Sequence, residues 1–215
     1  MPLALPTPPL PLRRALAVAA LASLACAAHA AAIDYAQVDT SQSATTVVLV
    51  SAVGADDPAR PAPLVSATFT RWSSGEAAGI GYVQRWAAAD ETHRWLLGAG
   101  VGANTFRSRD PADERRDSAL SARLQSEWSG PAPGGSYYVL AQASSFRGSW
   151  LATGQYSPAA LPVALDWTRY HERGYQATSI GLRISIGVPR WFVRLGATRA
   201  EGESRPYVGL AYNAF

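Results

Sequence analysis

Short segments in which apolar and polar residues alternate run through most of the chain from residue 45 onward. In the clearest one, 175–188, Ile180, Leu182 and Ile184 share one face, and Gly181 and Arg183 share the other. This period of two indicates β-strands with one apolar and one polar face, and the 3.6-residue period of helices is missing. Comparable or weaker alternation occurs at 45–53, 63–72, 77–87, 93–106, 117–128, 136–147, 162–171, 190–199 and 204–214. The pattern predicts an all-β chain.

The polar faces are rich in glycine and arginine. Gly79, Gly81 and Arg85 share one such face, and Gly98, Gly100 and Gly102 follow Arg94 on another. Glycine weakens an ordinary strand, but on the inner wall of a barrel it makes room for large side chains from other strands. This composition favours a transmembrane barrel with apolar residues facing lipid over a soluble barrel with an apolar interior.

A barrel of this kind assigns the charged side chains of the polar faces to its lumen. The residues predicted to face the lumen are Arg85, Arg94, Arg123, Glu127, Asp166, Arg183, Arg190 and Arg194. Tryptophans near strand ends fit the aromatic girdles found where such barrels meet the lipid–water boundary. The residues predicted to form these girdles are Trp72, Trp86, Trp95, Trp128, Trp167 and Trp191.

The first 30 residues have the pattern of an export signal. Arg13 and Arg14 precede an uncharged apolar stretch, and Ala28-His29-Ala30 is a small-x-small cleavage site. We therefore expect residues 1–30 to be a cleaved signal peptide, 31–44 a periplasmic lead-in and 45–215 the barrel. An alternative is lipidation of Cys26, because Ser23-Leu24-Ala25-Cys26 loosely resembles a lipoprotein cleavage box.

The chain ends in an alternating segment with a terminal aromatic residue, RPYVGLAYNAF. Together with the signal peptide and the amphipathic strands, this ending resembles that of small bacterial outer-membrane β-barrel proteins. Tyr212 shares the apolar face with Val208 and Leu210 while Asn213 does not, so a bulge near Asn213 would be needed to turn Phe215 toward lipid.

The resemblance implies an antiparallel up-and-down transmembrane β-barrel in the outer membrane of a Gram-negative bacterium. It also implies that Phe215 is a signal for the barrel-assembly machinery. Outer-membrane lipids and lipopolysaccharide, and an envelope or export partner, are the further partners it suggests. For the charged segment 107–116 the alternatives are a solvated external loop and a contact site for lipopolysaccharide or a partner.

The number of strands follows from loop lengths. Ten alternating segments would place the long stretches 107–116 and 148–160 on the side of the short periplasmic turns. Omitting 45–53 and joining 162–188 into one interrupted strand gives eight, with both long stretches external and Val188-Pro189 in a periplasmic turn. We therefore predict eight strands, with ten as the alternative.

Composition narrows the chemistry. The chain has 19 cationic residues, all Arg, against 16 acids, and it has one Cys and one Met. Removing residues 1–30 takes away two Arg and no acid, which leaves a net charge of +1 and gives no reason to expect nucleic-acid binding. The mature chain lacks Cys, so thiolate catalysis and Cys-based metal sites are excluded, and we predict no cofactor and no metal site.

The mature histidines do not suggest an enzyme. His171 lies near Asp166, Tyr170 and Glu172, so a catalytic triad can be imagined. The His-x-Ser pair of outer-membrane lipid A deacylases is absent, because the sequence there is His171-Glu172-Arg173. His93 opens a strand beside Arg94, and both histidines are interpreted as structural.

Four functions are compatible with these patterns. The first is a non-catalytic barrel with a structural, adhesive or export-accessory role, its lumen plugged by side chains. The second is a narrow channel or binding barrel for small anionic solutes, which the luminal arginines would favour. The third is an outer-membrane hydrolase or acyltransferase, and the fourth a soluble periplasmic barrel that binds an apolar ligand. Missing catalytic motifs count against the third, and the Gly/Arg faces count against the fourth.

Overall fold

The computed structural model describes residues 33–54, 61–87, 92–110 and 114–214, and in these ranges the chain forms twelve antiparallel strands. A single 3-10 turn, Phe146–Gly148, interrupts them between β7 and β8. The strands are β1 (Tyr35–Ser41), β2 (Ala44–Ala52), β3 (Leu64–Trp72), β4 (Gly75–Ala87), β5 (Arg94–Ser108), β6 (Arg115–Ala132), β7 (Gly135–Ser144), β8 (Ser149–Pro158), β9 (Val163–Glu172), β10 (Tyr175–Ser185), β11 (Trp191–Ala200) and β12 (Glu203–Asn213).

The first and last strands pair with each other and close the sheet into a barrel. Each strand pairs with its neighbours in sequence, and β1 lies between β2 and β12. Tyr35 is opposite Asn213 on one side and Val50 on the other. The Ala214 amide donates to the Asp34 carbonyl over 2.7 Å, which extends the pairing one step beyond the strands. Closure satisfies the hydrogen bonds that two free sheet edges would leave open.

Twelve strands replace the eight that we predicted from loop lengths, and the alternative of ten is also wrong. Strand β1 lies within 31–44, the predicted lead-in, so the barrel begins before residue 45. Strand β8 occupies most of 148–160, which was predicted to be a loop. Strand β2 covers the segment that was omitted to reach eight.

The segment 162–188 is a hairpin and the turn that follows it rather than one interrupted strand. Strands β9 and β10 pair along their lengths and are joined at Arg173-Gly174. Gly174 has a φ of +80°, which glycine adopts without the steric cost that other residues would carry. The apolar face switches from odd positions in β9 (Val163, Leu165, Trp167) to even positions in β10 (Ile180, Leu182), and the reversal at Arg173-Gly174 accounts for this switch.

The barrel has two ends that differ in their connections. We call the end where β1 begins and β12 finishes the terminal end, and the opposite one the distal end. The distal connections are 42–43, 73–74, 109–114, 145–148, 173–174 and 201–202, and the terminal ones are 53–63, 88–93, 133–134, 159–162 and 186–190. Most of 107–116 and the Val188-Pro189 turn thus lie at opposite ends.

The β5–β6 hairpin extends beyond its neighbour at the distal end. Strand β6 begins at Arg115, but β7 pairs with it only from Arg123 onward. At this step the Ser145 amide donates to the Ala122 carbonyl over 3.0 Å, and the Ser145 hydroxyl accepts from the Ala122 amide over 3.0 Å. The first residues of β6 therefore stand above the rim formed by β7 and β8.

The polarity of the barrel is inverted relative to a water-soluble protein. Leu120 and Val101 on the outer face are 84% and 64% exposed, whereas Arg194 and Asp166 on the inner face are each 4% exposed. An apolar exterior around a polar interior is the arrangement of a transmembrane β-barrel, because lipid replaces water outside.

Two predicted features lie outside the described residues. These are the signal peptide 1–30, with its alternative of lipidation at Cys26, and the assembly signal Phe215. Strand β12 pairs with β1 in continuous register from Tyr207 to Asn213, so no bulge occurs there. In the ranges that the structure describes, no helix is long and apolar enough to cross a membrane.

Candidate functional site in the barrel lumen

The strand register decides which side chains face the lumen, since directly paired residues share a face. It places seven of the eight predicted luminal residues on the inner face: Arg85, Arg94, Arg123, Glu127, Asp166, Arg183 and Arg194. The exception is Arg190, which lies in the exposed 186–190 turn with a φ of +70°. Arg190 continues the alternation of β11 in the sequence, but the strand begins only at Trp191.

One wall of the lumen carries a buried network centred on Asp166, which we call the Asp166 network. Asp166 Oδ2 accepts from Arg183 Nε over 2.9 Å and from Arg194 Nη2 over 2.8 Å. Arg194 also pairs with Asp39, and the Tyr207 hydroxyl lies 3.5 Å from both Asp166 Oδ1 and Arg194 Nη2. Two arginines thus face two aspartates, and the network is close to neutral.

The Asp166 network depends on small residues behind it. A Cβ placed on Gly181 or Gly196 would overlap the Tyr207 side chain, and one on Gly209 would overlap Asp39. Glycine at these positions lets the large side chains lie flat against the wall. The glycine-rich polar faces of the sequence therefore have the steric role that we predicted for them.

A second group, on β3 to β6, holds Arg123, and we call it the Arg123 cradle. Arg123 donates from Nη1 to the Ser66 hydroxyl over 3.2 Å, and from Nη2 to the Asn104 side-chain oxygen over 3.1 Å and the Ile80 carbonyl over 3.2 Å. Arg123 itself is only 8% exposed, and its Nε has no hydrogen-bond partner. All these acceptors are neutral, and the ion pairs within the described ranges include none with Arg123.

Glycines also form the floor of this cradle. A Cβ on Gly81 would overlap the Arg123 guanidinium, and one on Gly102 would approach its Nε too closely. The guanidinium therefore rests where two side chains are missing from β4 and β5.

A third contact lies next to the cradle on the same wall. Arg85 Nη1 is 3.7 Å from Glu127 Oε1, and Arg85 Nε donates to the Ala62 carbonyl over 2.7 Å. Glu127 also accepts from the Tyr138 hydroxyl over 3.1 Å and from Gln125 Nε2 over 2.7 Å. The charge of Arg85 is thus balanced by the carboxylate of Glu127.

The two walls stand on opposite sides of the lumen. The Asp166 network is built from β9 to β12 and β1, and the Arg123 cradle from β3 to β6. Their central strands, β11 and β5, are six positions apart in a ring of twelve, so they face each other across the lumen. Of the hydrogen bonds and ion pairs recorded between described residues, none joins the two groups. The side chains line the lumen walls without bridging these two groups.

The distal mouth contains an arginine that sequence reasoning missed. Arg147 has a φ of +54° in the β7–β8 turn and is drawn toward the lumen. Its Nη1 is 2.8 Å from Asp117 Oδ2, its Nε is 3.5 Å from Glu172 Oε2, and its guanidinium lies 4.0 Å from the centre of the Phe106 ring. The alternating segment 136–147 includes Arg147, but β7 ends at Ser144, and the sequence offered no signal that the following turn would bring Arg147 to the lumen.

Other luminal partners were also missed. Strand β1, whose pattern is too weak to predict a strand, contributes Tyr35, Gln37 and Asp39 to the lumen. The Tyr35 hydroxyl accepts a hydrogen bond from Arg183 Nη2 over 3.3 Å. Tyr207 was recognised as part of a strand, but its contact with Asp166 joins β12 to β9, across 41 positions of the chain.

The outer face carries five of the six tryptophans predicted for the girdles. Trp72 is the exception, because it faces inward at the distal end, with its ring centre 5.6 Å from that of Phe106. On the outer face Trp95 packs against Trp128, with ring centres 6.0 Å apart, and Trp191 packs against Tyr212 at 5.3 Å. The tryptophans that the register places outward are Trp86, Trp95, Trp128, Trp167 and Trp191.

Among the described residues, the structure does not bring His171 together with the neighbours that a catalytic triad would use. His171 faces outward and stacks on Trp150 with ring centres 5.8 Å apart, whereas Asp166 and Tyr170 face inward. His93 lies 6.1 Å from the Tyr137 ring and 2.8 Å from the Thr92 hydroxyl. The described part of the chain contains no cluster of three potential metal-ligating side chains.

Comparison with known proteins gives a likeness in structure alone. No protein-family model matches the sequence, and no curated protein matches it. The barrel is similar to the KdgM porin, with a TM-score of 0.55 and 10% identity over 84% of this chain and 98% of that one. A second structure, of the KdgM porin in complex with disordered oligogalacturonate, gives a TM-score of 0.51 at 10% identity, with the same coverage of both chains.

The outer membrane protein Omp33 of Acinetobacter baumannii is similar as well, with a TM-score of 0.50 and 8% identity over 83% of this chain and 96% of that one. At such identities the likeness shows the fold. By fold the chain is a bacterial outer-membrane β-barrel, and its apolar exterior and these neighbours point to the outer membrane of a Gram-negative bacterium.

Proposed function

We propose that this protein is a non-catalytic outer-membrane channel for small solutes and that its lumen favours anions. The structural neighbours support the first part, since KdgM is a porin and one of its structures is a complex with oligogalacturonate. The wider bore supports it too. Strands about 4.8 Å apart and tilted by about 40° give a backbone diameter of about 24 Å for twelve strands and about 16 Å for eight.

Arg123 carries the preference for anions. The Asp166 network balances two cations with two anions, and Arg85 is balanced by Glu127, whereas the recorded contacts of Arg123 are all neutral. A fixed charge in a narrow lumen with low-dielectric walls acts on passing ions through its field, even when its own surface is mostly covered. The uncompensated charge of Arg123 should therefore attract anions and repel cations.

Single-channel recording in planar bilayers tests both parts. The wild type should conduct, and its reversal potential in a KCl gradient should show selectivity for chloride. Arg123→Gln should lower the anion-to-cation permeability ratio by about two- to fivefold, because one luminal charge is lost. Arg123→Lys retains the charge and should retain the selectivity. Arg190→Gln removes an exposed charge in a turn and should leave the permeability ratio unchanged.

The results separate this proposal from its main competitor. A folded barrel that does not conduct would overturn the channel and support the structural or export-accessory role. A conducting barrel whose selectivity is the same in wild type and Arg123→Gln would retain the channel and overturn the role of Arg123.

A further inference from the structure

On the outward-facing positions of the described strands, charged side chains are confined to one end of the barrel. Counting the described strand residues by register, the outward-facing charges are five arginines and one glutamate. All lie among the four strand residues nearest the distal turns: Arg71, Arg107, Arg116, Arg169, Arg199 and Glu76. A charged side chain on the lipid face is least costly near the membrane interface. The distal end is therefore where the outer face meets a polar layer, and that layer has to accommodate an excess of cations.

The terminal end has the opposite character. Its outer face carries large aromatic side chains and no strand charge in the described ranges. Trp86, Trp95 and Trp128 lie there on neighbouring strands, and Trp191 packs on Tyr212. Uncharged amphipathic rings suit an interface of ordinary phospholipid headgroups. The two ends of the outer face thus differ in charge, with an excess of cations at the distal end and none among the described strand residues at the terminal end.

Four of the distal side chains form a row across adjacent strands. Arg71 on β3 is directly opposite Glu76 on β4, which is opposite Arg107 on β5, which in turn is opposite Arg116 on β6. Glu76, the single acid of this row, already forms an ion pair with Arg109, whose Nη2 lies 3.3 Å from its carboxylate.

Arg107 and Arg116 are consequently a pair of like charges on directly opposed residues. Such a pair destabilises a sheet unless a counter-charge lies between its members. Both side chains are exposed, and no recorded ion pair within the described ranges joins either of them to an acid. Two guanidinium groups a strand spacing apart can together hold one phosphate through several charge-assisted hydrogen bonds.

We propose that Arg107 and Arg116 bind a phosphate group of lipopolysaccharide and that the distal end faces the cell surface. Lipopolysaccharide is the phosphate-bearing lipid of the outer leaflet in a Gram-negative bacterium, which matches the end where the cations are concentrated. The β5–β6 hairpin that carries the pair extends beyond β7, so the pair can be reached from the side. This proposal concerns the outer face and does not depend on conduction through the lumen.

Binding of purified lipid A to the refolded full-length barrel tests the phosphate contact. Bisphosphorylated lipid A and its dephosphorylated form are the probes, and bound lipid is counted by native mass spectrometry from detergent. The Arg107→Gln/Arg116→Gln double variant should bind the bisphosphorylated probe about fivefold or more weakly than the wild type. Arg190→Gln, which removes an exposed arginine at the terminal end, should bind it like the wild type.

Two outcomes of this measurement would overturn the proposal. One is a double variant that is folded and binds bisphosphorylated lipid A as tightly as the wild type does. The other is a wild type that binds the dephosphorylated probe equally well, which would mean that the acyl chains alone make the contact. Resistance of each variant to unfolding by detergent at room temperature shows that a loss of binding is not a loss of fold.

Orientation is tested in intact cells. The only Cys of the chain, Cys26, is in the predicted signal peptide, so a single introduced Cys is a clean reporter. Ser73→Cys in a distal turn should react in intact cells with a polyethylene-glycol maleimide that is too large to pass through outer-membrane channels, and Ala160→Cys in a terminal connection should react only after lysis. The reverse labelling would place the arginine row in the inner leaflet and overturn the assignment to lipopolysaccharide.

Discussion

Arg123 shows how single glycines shape the lumen. Its guanidinium lies over Gly81 and Gly102, and it is held by the Ser66 hydroxyl, the Asn104 side chain and the Ile80 carbonyl. The charge is fixed in position by neutral groups, so its field is not cancelled locally. A side chain added at either glycine would have to move the guanidinium toward the middle of the lumen.

Two Gly→Ala substitutions should therefore have different consequences. In Gly81→Ala the new methyl group meets the end of a flexible arginine side chain, which can move aside into the lumen. We therefore expect a lower single-channel conductance and a loss of less than about 1 kcal/mol in the free energy of unfolding. In Gly100→Ala the methyl group meets the Tyr82 carbonyl and adjacent backbone, which cannot move alone. We expect that variant to lose about 1–3 kcal/mol.

Guanidinium unfolding in detergent, followed by tryptophan fluorescence, measures both losses. Each variant serves as the other's control, because the change in backbone propensity is the same. Equal stabilities would show that the strands around Gly100 adjust more easily than the geometry indicates.

At the scale of the strand, the two faces of β10 meet different surroundings, lipid on one side and the polar lumen on the other. Ile180 faces outward, opposite Trp167 and Ala197, and is 62% exposed to the surrounding lipid. Ser179 faces inward, and its hydroxyl lies 2.7 Å from that of Thr198. One residue therefore contacts lipid while its neighbour contacts the polar lumen.

The same substitution at these two neighbours should give opposite results. Ile180→Arg places a charge in lipid near the middle of the strand, which should cost about 2–4 kcal/mol. Ser179→Arg places the same charge in the polar lumen and should cost much less. Urea unfolding of protein refolded into phospholipid vesicles compares the two directly. Similar losses in both variants would contradict the assignment of faces along β10.

At the scale of the whole molecule, closure of the sheet is the dominant feature. The pairing of β1 with β12 leaves no free edge from which unfolding could begin. In lipid or detergent every backbone group of the wall is then satisfied by a neighbouring strand. Opening the barrel requires several strand pairs to separate together, so the folded state should resist detergent unless it is heated.

Heat-dependent migration tests this closure. In a denaturing gel the unboiled protein should remain a compact barrel and migrate differently from the boiled protein. Tyrosine and tryptophan fluorescence of the two samples, measured before loading, shows independently whether the fold was retained. Identical migration together with recovery as a soluble periplasmic monomer would contradict the membrane barrel.

The sequence alone determined which face each residue of a strongly alternating strand occupies. The assignments of Arg85, Arg123 and Arg183 to the inner face follow from a period of two, which depends only on neighbours along the chain. The weakly patterned β1 and β8 could not be found in this way. In β8, Leu151 faces the lumen and Gly154 faces outward, which hides the alternation.

The tertiary structure decided the number of strands and the partners of the luminal charges. Asp39 and Arg194 are separated by 155 positions, and they meet because β1 pairs with β12. Likewise, the opposed Arg107 and Arg116 become a pair through the register of the β5–β6 hairpin. Closure and register are set by hydrogen bonds between strands. A local pattern of hydrophobic residues does not indicate which strands will form these hydrogen bonds.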